Sequence, residues 1–216
     1  LLPTLTDSIW VNKWPTQSKT IYSVLSLKPE GWDDALFEAP SLDGHHYVSL
    51  WNHEELETVT RNGKTYAPVT VDGFSRSWIG TRREGNVDCI ALFPNLLKVE
   101  LIQDSIRFKA AKGMKIVVWA GMPSYSRRYA EFPVGSKTIS IIEHLGKHEE
   151  KFVLQLFDDK ELLDEKVVKL PLATPRLISH VERTTLASKV STGMVEIPSR
   201  AFTFKPTRSF LSPNEV

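Results

Sequence analysis

Apolar side chains in this sequence recur at every second position in short runs, and nearly every run ends at a turn residue within about eight positions. That period sends alternate side chains to opposite faces of an extended strand, so each run has one face to bury and needs a sheet to bury it in. No helical periodicity is sustained over three turns. The chain is therefore read as all-β. In its first half the strands are "SIWVNKW", "KTIYSVLSL", "ALFEA" and "HHYVSLW". "LETVTR" then returns as "KTYAPVTV" across Asn62-Gly63, a pair that accepts the positive φ angles of a two-residue hairpin turn. "VDCIALF" follows and ends at Pro94-Asn95. "WNHEELE" reads as one helical turn or an exposed loop, because Glu54, Glu55 and Glu57 crowd it with charge.

After Pro94 the pattern restarts with "LLKVELI", a turn at Asp104-Ser105, "SIRFKAA", a turn at Lys112-Gly113, and "MKIVVWAG". A polar loop, "GMPSYSRRYAEFP", precedes "KTISIIEHL", "EKFVLQLFD" and "EKVVKLPL". About seven strands in roughly eighty residues, with frequent turns, is the spacing of an immunoglobulin-like sandwich. The expected organisation is two β-sandwich domains, residues 1–94 and 95–174, the second immunoglobulin-like. From Pro171 a Thr- and Ser-rich stretch has the composition of a linker. Apolar alternation revives in "MVEIPSRAFTF", so residues 175–216 are expected to hold that linker and the opening strand of a further, truncated domain.

With 27 basic and 26 acidic side chains, and no basic block longer than Arg82-Arg83 or Arg127-Arg128, the chain offers no net field to draw in nucleic acid or an anionic membrane. No run approaches the roughly eighteen apolar residues of a spanning helix. The single cysteine, Cys89, excludes an intramolecular disulfide, a thiol-based metal site and a CxxC redox pair. The opening "LLPTLTDSIW" has neither the basic nor the apolar region of a signal peptide, so removal of a targeting segment or excision from a longer chain is expected.

Five of the six tryptophans lie in the first 78 residues, which concentrates the candidates for ligand stacking there. An indole face can stack on a pyranose ring while its N–H makes one directional bond, although strand tryptophans also serve as core. Trp14 before Pro15 and Trp32 after Gly31 stand in turn-like contexts, which favours exposure. Trp14, Trp32, Trp51 and Trp78 are the candidate sugar platforms, with Arg82 and Asp72 as polar anchors in the chemically dense stretch "DGFSRSWIGTRREGN". His45 and His46 point to opposite faces of their strand and cannot both approach one metal from it. His144 and His148 are separated by Gly146 and flanked by strands, so their spacing does not make a helical ligand pair. No phosphate cradle, nucleophile elbow or HExxH motif occurs, and neither a catalytic residue, a metal nor a cofactor is expected.

"GMVEIPSRAFTF" resembles the start of the formylglycine-generating-enzyme (sulfatase-modifying-factor) domain. Met194, Val195, Ile197, Pro198, Phe202, Thr203 and Phe204 fit its opening strand, while Ser199-Arg200 replace the usual glycine pair. The catalytic cysteines of that family have no counterpart here. "IWVNKWPTQSKTIYSVLSLKPEG" and "HHYVSLWNHEEL" are similar to the β-sandwich region that follows the catalytic barrel of bacterial glycoside hydrolases. Together the resemblances imply a middle piece of a multidomain, extracytoplasmic bacterial protein, with neighbouring domains of its own parent chain as partners. The function they imply is a non-catalytic accessory region of a carbohydrate-active protein. The alternative is a glycan hydrolase with its acids among Asp72, Glu84 and Asp88.

Overall fold

A computed structural model describes residues 1–74, 86–148, 150–170 and 192–195. The protein is all-β and built from antiparallel sheets. The first eight strands among the described residues are β1 (Ile9–Pro15), β2 (Thr20–Ser26), β3 (Trp32–Glu38), β4 (His45–Ser49), β5 (Glu54–Leu56), β6 (Val59–Arg61), β7 (Lys64–Val71) and β8 (Val87–Pro94). They form one sheet in the order β1-β2-β8-β4-β5 and another in the order β3-β7-β6. Ile9, Val11, Tyr22, Ile90 and Leu92 from the first sheet share a buried cluster with Leu36, Phe37, Val69 and Val71 from the second. The alternation visible in the sequence is what supplies these inward faces. Asn62 and Gly63, at φ 50° and 75°, make the tight turn between β6 and β7. Pro68 stands in the central strand β7, where its missing N–H would break a regular ladder. It pairs with Ala35 at a register shift, beyond which Phe37 pairs with Ala67.

From Leu97 onward the strands are β9 (Leu97–Ile102), β10 (Ser105–Ala110), β11 (Lys115–Ala120), β12 (Tyr129–Pro133), β13 (Ser136–Ser140), β14 (Lys151–Asp158) and β15 (Glu161–Lys169), with a short helix α1 (Ile141–Leu145) after β13. They pair as β13-β10-β9 and β12-β11-β14-β15. Phe108 and Ile139 of the first sheet, Ile116, Phe152 and Leu154 of the second, and Ile141 and Leu145 of α1 form a separate buried core. Among the described residues no strand pairs across the division: the strands up to Pro94 stay in the first two sheets and those from Leu97 in the other two.

Three local expectations are corrected. "WNHEELE" is neither helix nor open loop: Glu54–Leu56 pair with β4, and Glu55 turns back toward β15. The polar loop after β11 is shorter than its composition suggests, because Tyr129–Pro133 add β12 to the edge of that sheet. "KTISIIEHL" is not one strand. Ser140 ends β13 and caps α1 by accepting the Glu143 N–H, while Gly146 at φ 76° stops the helix. His144 therefore lies in α1 and His148 beyond its end. In addition, the turn before β10 is made by Gln103 and Asp104, with Gln103 at φ 51° and Ser105 already in the strand.

The back of the first sheet meets β15. Val48, Ala91 and Phe93, all fully buried, form a small apolar cluster against which Ile21, Leu50 and Leu162 pack. Beside it lie two carboxylates with no solvent exposure, Asp164 and Glu165. Asp164 Oδ1 accepts the His46 Nε2–H at 2.7 Å, and its Oδ2 accepts the backbone N–H groups of Leu96 at 2.8 Å and Leu97 at 2.7 Å. Glu165 accepts the His53 Nδ1–H at 2.8 Å and an amide N–H of Gln155 at 2.8 Å. Burying a carboxylate is costly unless its lone pairs are filled, and both of these are filled from two or more directions. Asp164 clamps the very segment that connects β8 to β9.

Candidate functional site

The candidate residues fall in separate places. Trp32 opens β3, and Asp72 directly follows β7, its partner in the sheet; the register sets Trp32 opposite Val71. Both line an open cleft of about 840 Å³ at that end of the sheet. Two glycines bring its walls together. A Cβ on Gly31, which sits at φ 75°, would lie 2.6 Å from the Val71 carbonyl oxygen, and one on Gly73 would lie 2.4 Å from that of Pro29.

Within the cleft the Trp32 Nε1–H donates to the Asp34 carbonyl at 3.0 Å, and the Lys28 ammonium stands 5.7 Å from its ring centroid. The Thr70 hydroxyl donates to Asp33 at 2.7 Å. The Arg61 guanidinium beside Asp34, with the Ala35 N–H, holds that carboxyl below its ordinary range. Lys28 does the same to Glu30. The cleft is thus a polar recess holding one indole, with two of its carboxylates stabilised in their charged form.

Trp14 stands elsewhere, on β1, and the turn-like setting read from Trp14-Pro15 is corrected: both residues belong to the strand, and Pro15 closes it opposite Thr20. Proline is tolerated there because β1 is the edge of its sheet. Trp14 is 58% exposed, and its Nε1–H donates to the Ser23 hydroxyl at 3.0 Å. That bond ties the indole to the neighbouring strand while leaving it largely open. Trp10, 40% exposed, lies on the same face of β1 and pairs with the exposed Leu25. Sequence reasoning passed over Trp10, though an even offset of four residues in a strand sets two side chains on one face, roughly 13 Å apart. Trp51 is in the turn between β4 and β5, 52% exposed, and does not line the cleft. Trp78, Arg82 and Glu84 lie outside the described residues.

Asp88 is buried near the start of β8, where it accepts the Ser49 hydroxyl and the Cys89 N–H, each at 2.7 Å. Burial pushes its carboxyl above the ordinary value against those hydrogen bonds. It does not line the cleft. Among the described residues no three His, Cys, Asp or Glu side chains are grouped to hold a metal ion. No protein-family model, curated protein or solved structure matches the chain.

The junction network has a pH signature of its own. Burial pulls His46 toward neutrality, and Lys166 adds to that, but hydrogen bonds to Asp164 and Glu55 outweigh both and raise its pKa above 6.5. Burial would raise Glu55, yet the hydrogen bond from His46, the Val167 N–H and the Lys166 charge bring it down to about 2. A raised histidine contributes its stability below 6.5 and loses it as pH climbs through the folded value; a depressed glutamate contributes above 4.5 and loses it as pH falls toward 2. The pair supports the fold most between those two ordinary values. The stability difference between the natural protein and His46→Gln, measured by urea unfolding, is expected to shrink as pH rises past 6.5. A difference that stays flat from about pH 5 to about pH 9 would refute it.

Proposed function

We propose that this chain is a non-catalytic accessory region of a larger extracytoplasmic, carbohydrate-active bacterial protein, and that it binds saccharide through its exposed tryptophans. The observation that carries the reading is Trp14: a largely open indole, fixed by the bond to Ser23 and accompanied on its face by Trp10. A pre-oriented ring loses little entropy on stacking against the apolar face of a sugar, whereas a mobile one would. The strand order of the second half supports an immunoglobulin-like sandwich, a fold that in multidomain proteins spaces and braces its neighbours. Sheet β13-β10-β9 corresponds to strands E, B and A, and β11-β14-β15 to C, F and G.

A hydrolytic reading calls for one carboxyl kept protonated to act as an acid. In the cleft, Asp34 and Glu30 are pushed the other way by Arg61 and Lys28, and Asp88, the carboxyl that burial does raise, does not line the cleft, which favours binding over turnover. The test is retention on immobilised neutral polysaccharides, with tryptophan fluorescence as the second readout. Trp14→Ala is expected to weaken binding by about 5- to 150-fold, taking the about 1–3 kcal/mol that an aromatic ring contributes when a nucleic-acid base stacks on it as the scale. Trp32→Ala, measured beside it, reports whether the cleft takes part. Retention unchanged in Trp14→Ala would overturn the platform, and release of reducing sugar by the natural protein would favour the hydrolase.

A further inference from the structure

Two arginines stand out by what they lack. Of the arginines among the described residues, Arg61 pairs with Asp34 and Arg107 with Glu100, while Arg127 and Arg128 have no carboxylate partner among the described residues. They sit in the loop between β11 and β12, and the segment from Gly121 to Ala130 contains no Asp or Glu at all. The loop is folded onto its surroundings rather than splayed. The Arg127 N–H donates to the Ser124 carbonyl at 3.1 Å, and the Ala120 N–H to the Arg128 carbonyl at 2.9 Å.

Glycines make room for the guanidinium groups. A Cβ on Gly121, at φ 89°, would meet the His148 ring at 3.2 Å and the Arg127 guanidinium carbon at 3.8 Å. One on Gly146, at φ 76°, would meet Arg128 Nη1 at 2.9 Å. Arg127 and His148 therefore share one glycine, and Arg128 lies across the other at the end of α1.

Lys151 joins this corner to the first half of the chain. Its carbonyl accepts the Gly121 N–H at 2.9 Å and the His148 Nε2–H at 3.1 Å. Its ammonium donates to the carbonyl oxygens of Asn52 at 2.6 Å and His53 at 3.0 Å. Asn52 is the neighbour of Trp51, whose half-exposed indole has no place in the cleft or on the β1 platform. Tyr125, fully exposed at the tip of the arginine loop, adds a second open ring.

We propose that this corner binds an acidic saccharide, one carrying carboxylate or sulfate groups. Arg127 and Arg128 engage the anionic groups, and Trp51 and Tyr125 supply faces for the rings. The planar guanidinium fork matches a carboxylate or a sulfate with two parallel hydrogen bonds, which an ammonium does not. An open aromatic ring in the same loop as guanidinium groups that have no carboxylate partner among the described residues suits a ring-bearing polyanion better than an acidic peptide. This deepens the saccharide reading and depends on it, but it names a different place and a charged ligand.

The test compares matched pairs of probes on the chain as it stands: polygalacturonate against its methyl ester, and dextran sulfate against dextran, with poly-L-glutamate as the peptide control. The charged member of at least one pair is expected to bind at least about tenfold more tightly than its neutral counterpart, and less so as salt is raised. The double variant Arg127→Ala, Arg128→Ala is expected to abolish that preference. Arg127→Lys, Arg128→Lys should restore only part of it, and Trp51→Ala should weaken the charged probe. Trp14→Ala should leave the preference for the charged member, and its dependence on Arg127 and Arg128, in place. Equal binding of charged and neutral members would sink the acidic-saccharide site while leaving the Trp14 platform intact. Poly-L-glutamate binding as tightly as the polysaccharides would assign the corner to an acidic protein segment instead. No binding of any saccharide would remove both readings together.

Discussion

Asp164→Ala is expected to destabilise the fold by about 3–5 kcal/mol, the range for removing one partner from a buried charged network. The reason is what the substitution leaves behind. Two backbone N–H groups, those of Leu96 and Leu97, lose the carboxylate oxygen they share, and His46 Nε2 loses the other oxygen. The side chain is fully buried, so water cannot replace it without opening the junction, and each orphaned donor carries a desolvation penalty of about 1–3 kcal/mol. Asp164→Asn should recover part of the loss. Its amide oxygen can still accept the Leu96 and Leu97 N–H groups, and its NH₂ can face His46 if the ring changes tautomer. Urea unfolding at a fixed pH measures both variants. By contrast, deleting one member of the exposed pair of Arg107 with Glu100 should cost no more than about 1 kcal/mol. A loss for Asp164→Ala as small as that would mean the junction is not held by this carboxylate.

Nothing about Asp164 was visible in the sequence, and the reason is physical. "ELLDEKVVK" alternates poorly, and a charged pair at its centre reads as solvated. The residues that bury it, His46 and the Leu96-Leu97 amides, come from far back in the chain. Local periodicity carries no information about such partners. Where structure depends on near neighbours, the sequence was readable. The strand faces follow their alternation, as in β2, where Tyr22, Val24 and Ser26 are buried. The Asn62-Gly63 turn has the two positive φ angles its chemistry favours. Helix α1 lay between these cases. Its isoleucines fit a strand equally well, but Ser140 three residues before Glu143 is a capping-box spacing that could have announced it. The same division runs through the candidate site. The exposure of Trp14 was anticipated for the wrong reason, a turn, when the edge position of β1 is what leaves it open. That Trp10 shares its face follows from counting by twos. The meeting of Trp32 with Asp72 needs the β3–β7 register, and the link from the segment after Trp51 to β14 needs the Lys151 bonds to Asn52 and His53.

Phe93→Ala is expected to cost about 3–5 kcal/mol as well, through a cavity rather than an orphaned group. Phe93 is the largest member of the apolar cluster at the junction and is fully buried, with Val48 and Ala91 beside it and Leu162 of β15 packed against them. Its ring lies 6.2 Å from that of His46, so the cavity opens next to the polar clamp. The two halves of the chain have separate cores, one around Phe37 and Ile90 and the other around Phe108 and Phe152. What couples them among the described residues is chiefly the junction, beside the bonds of Lys151 to Asn52 and His53 and of Lys19 to Leu162. Calorimetry of the natural protein is therefore expected to show one transition, and Phe93→Ala two, the lower one reporting whichever half leans more on its neighbour. Combining Phe93→Ala with Asp164→Ala should cost less than the sum of the single changes, because a junction already loosened by the cavity admits water to the Leu96 and Leu97 amides. Full additivity would mean that the apolar cluster and the carboxylate clamp act independently, and a single transition in Phe93→Ala would place the coupling of the two halves in the Asp164 and Glu165 network instead.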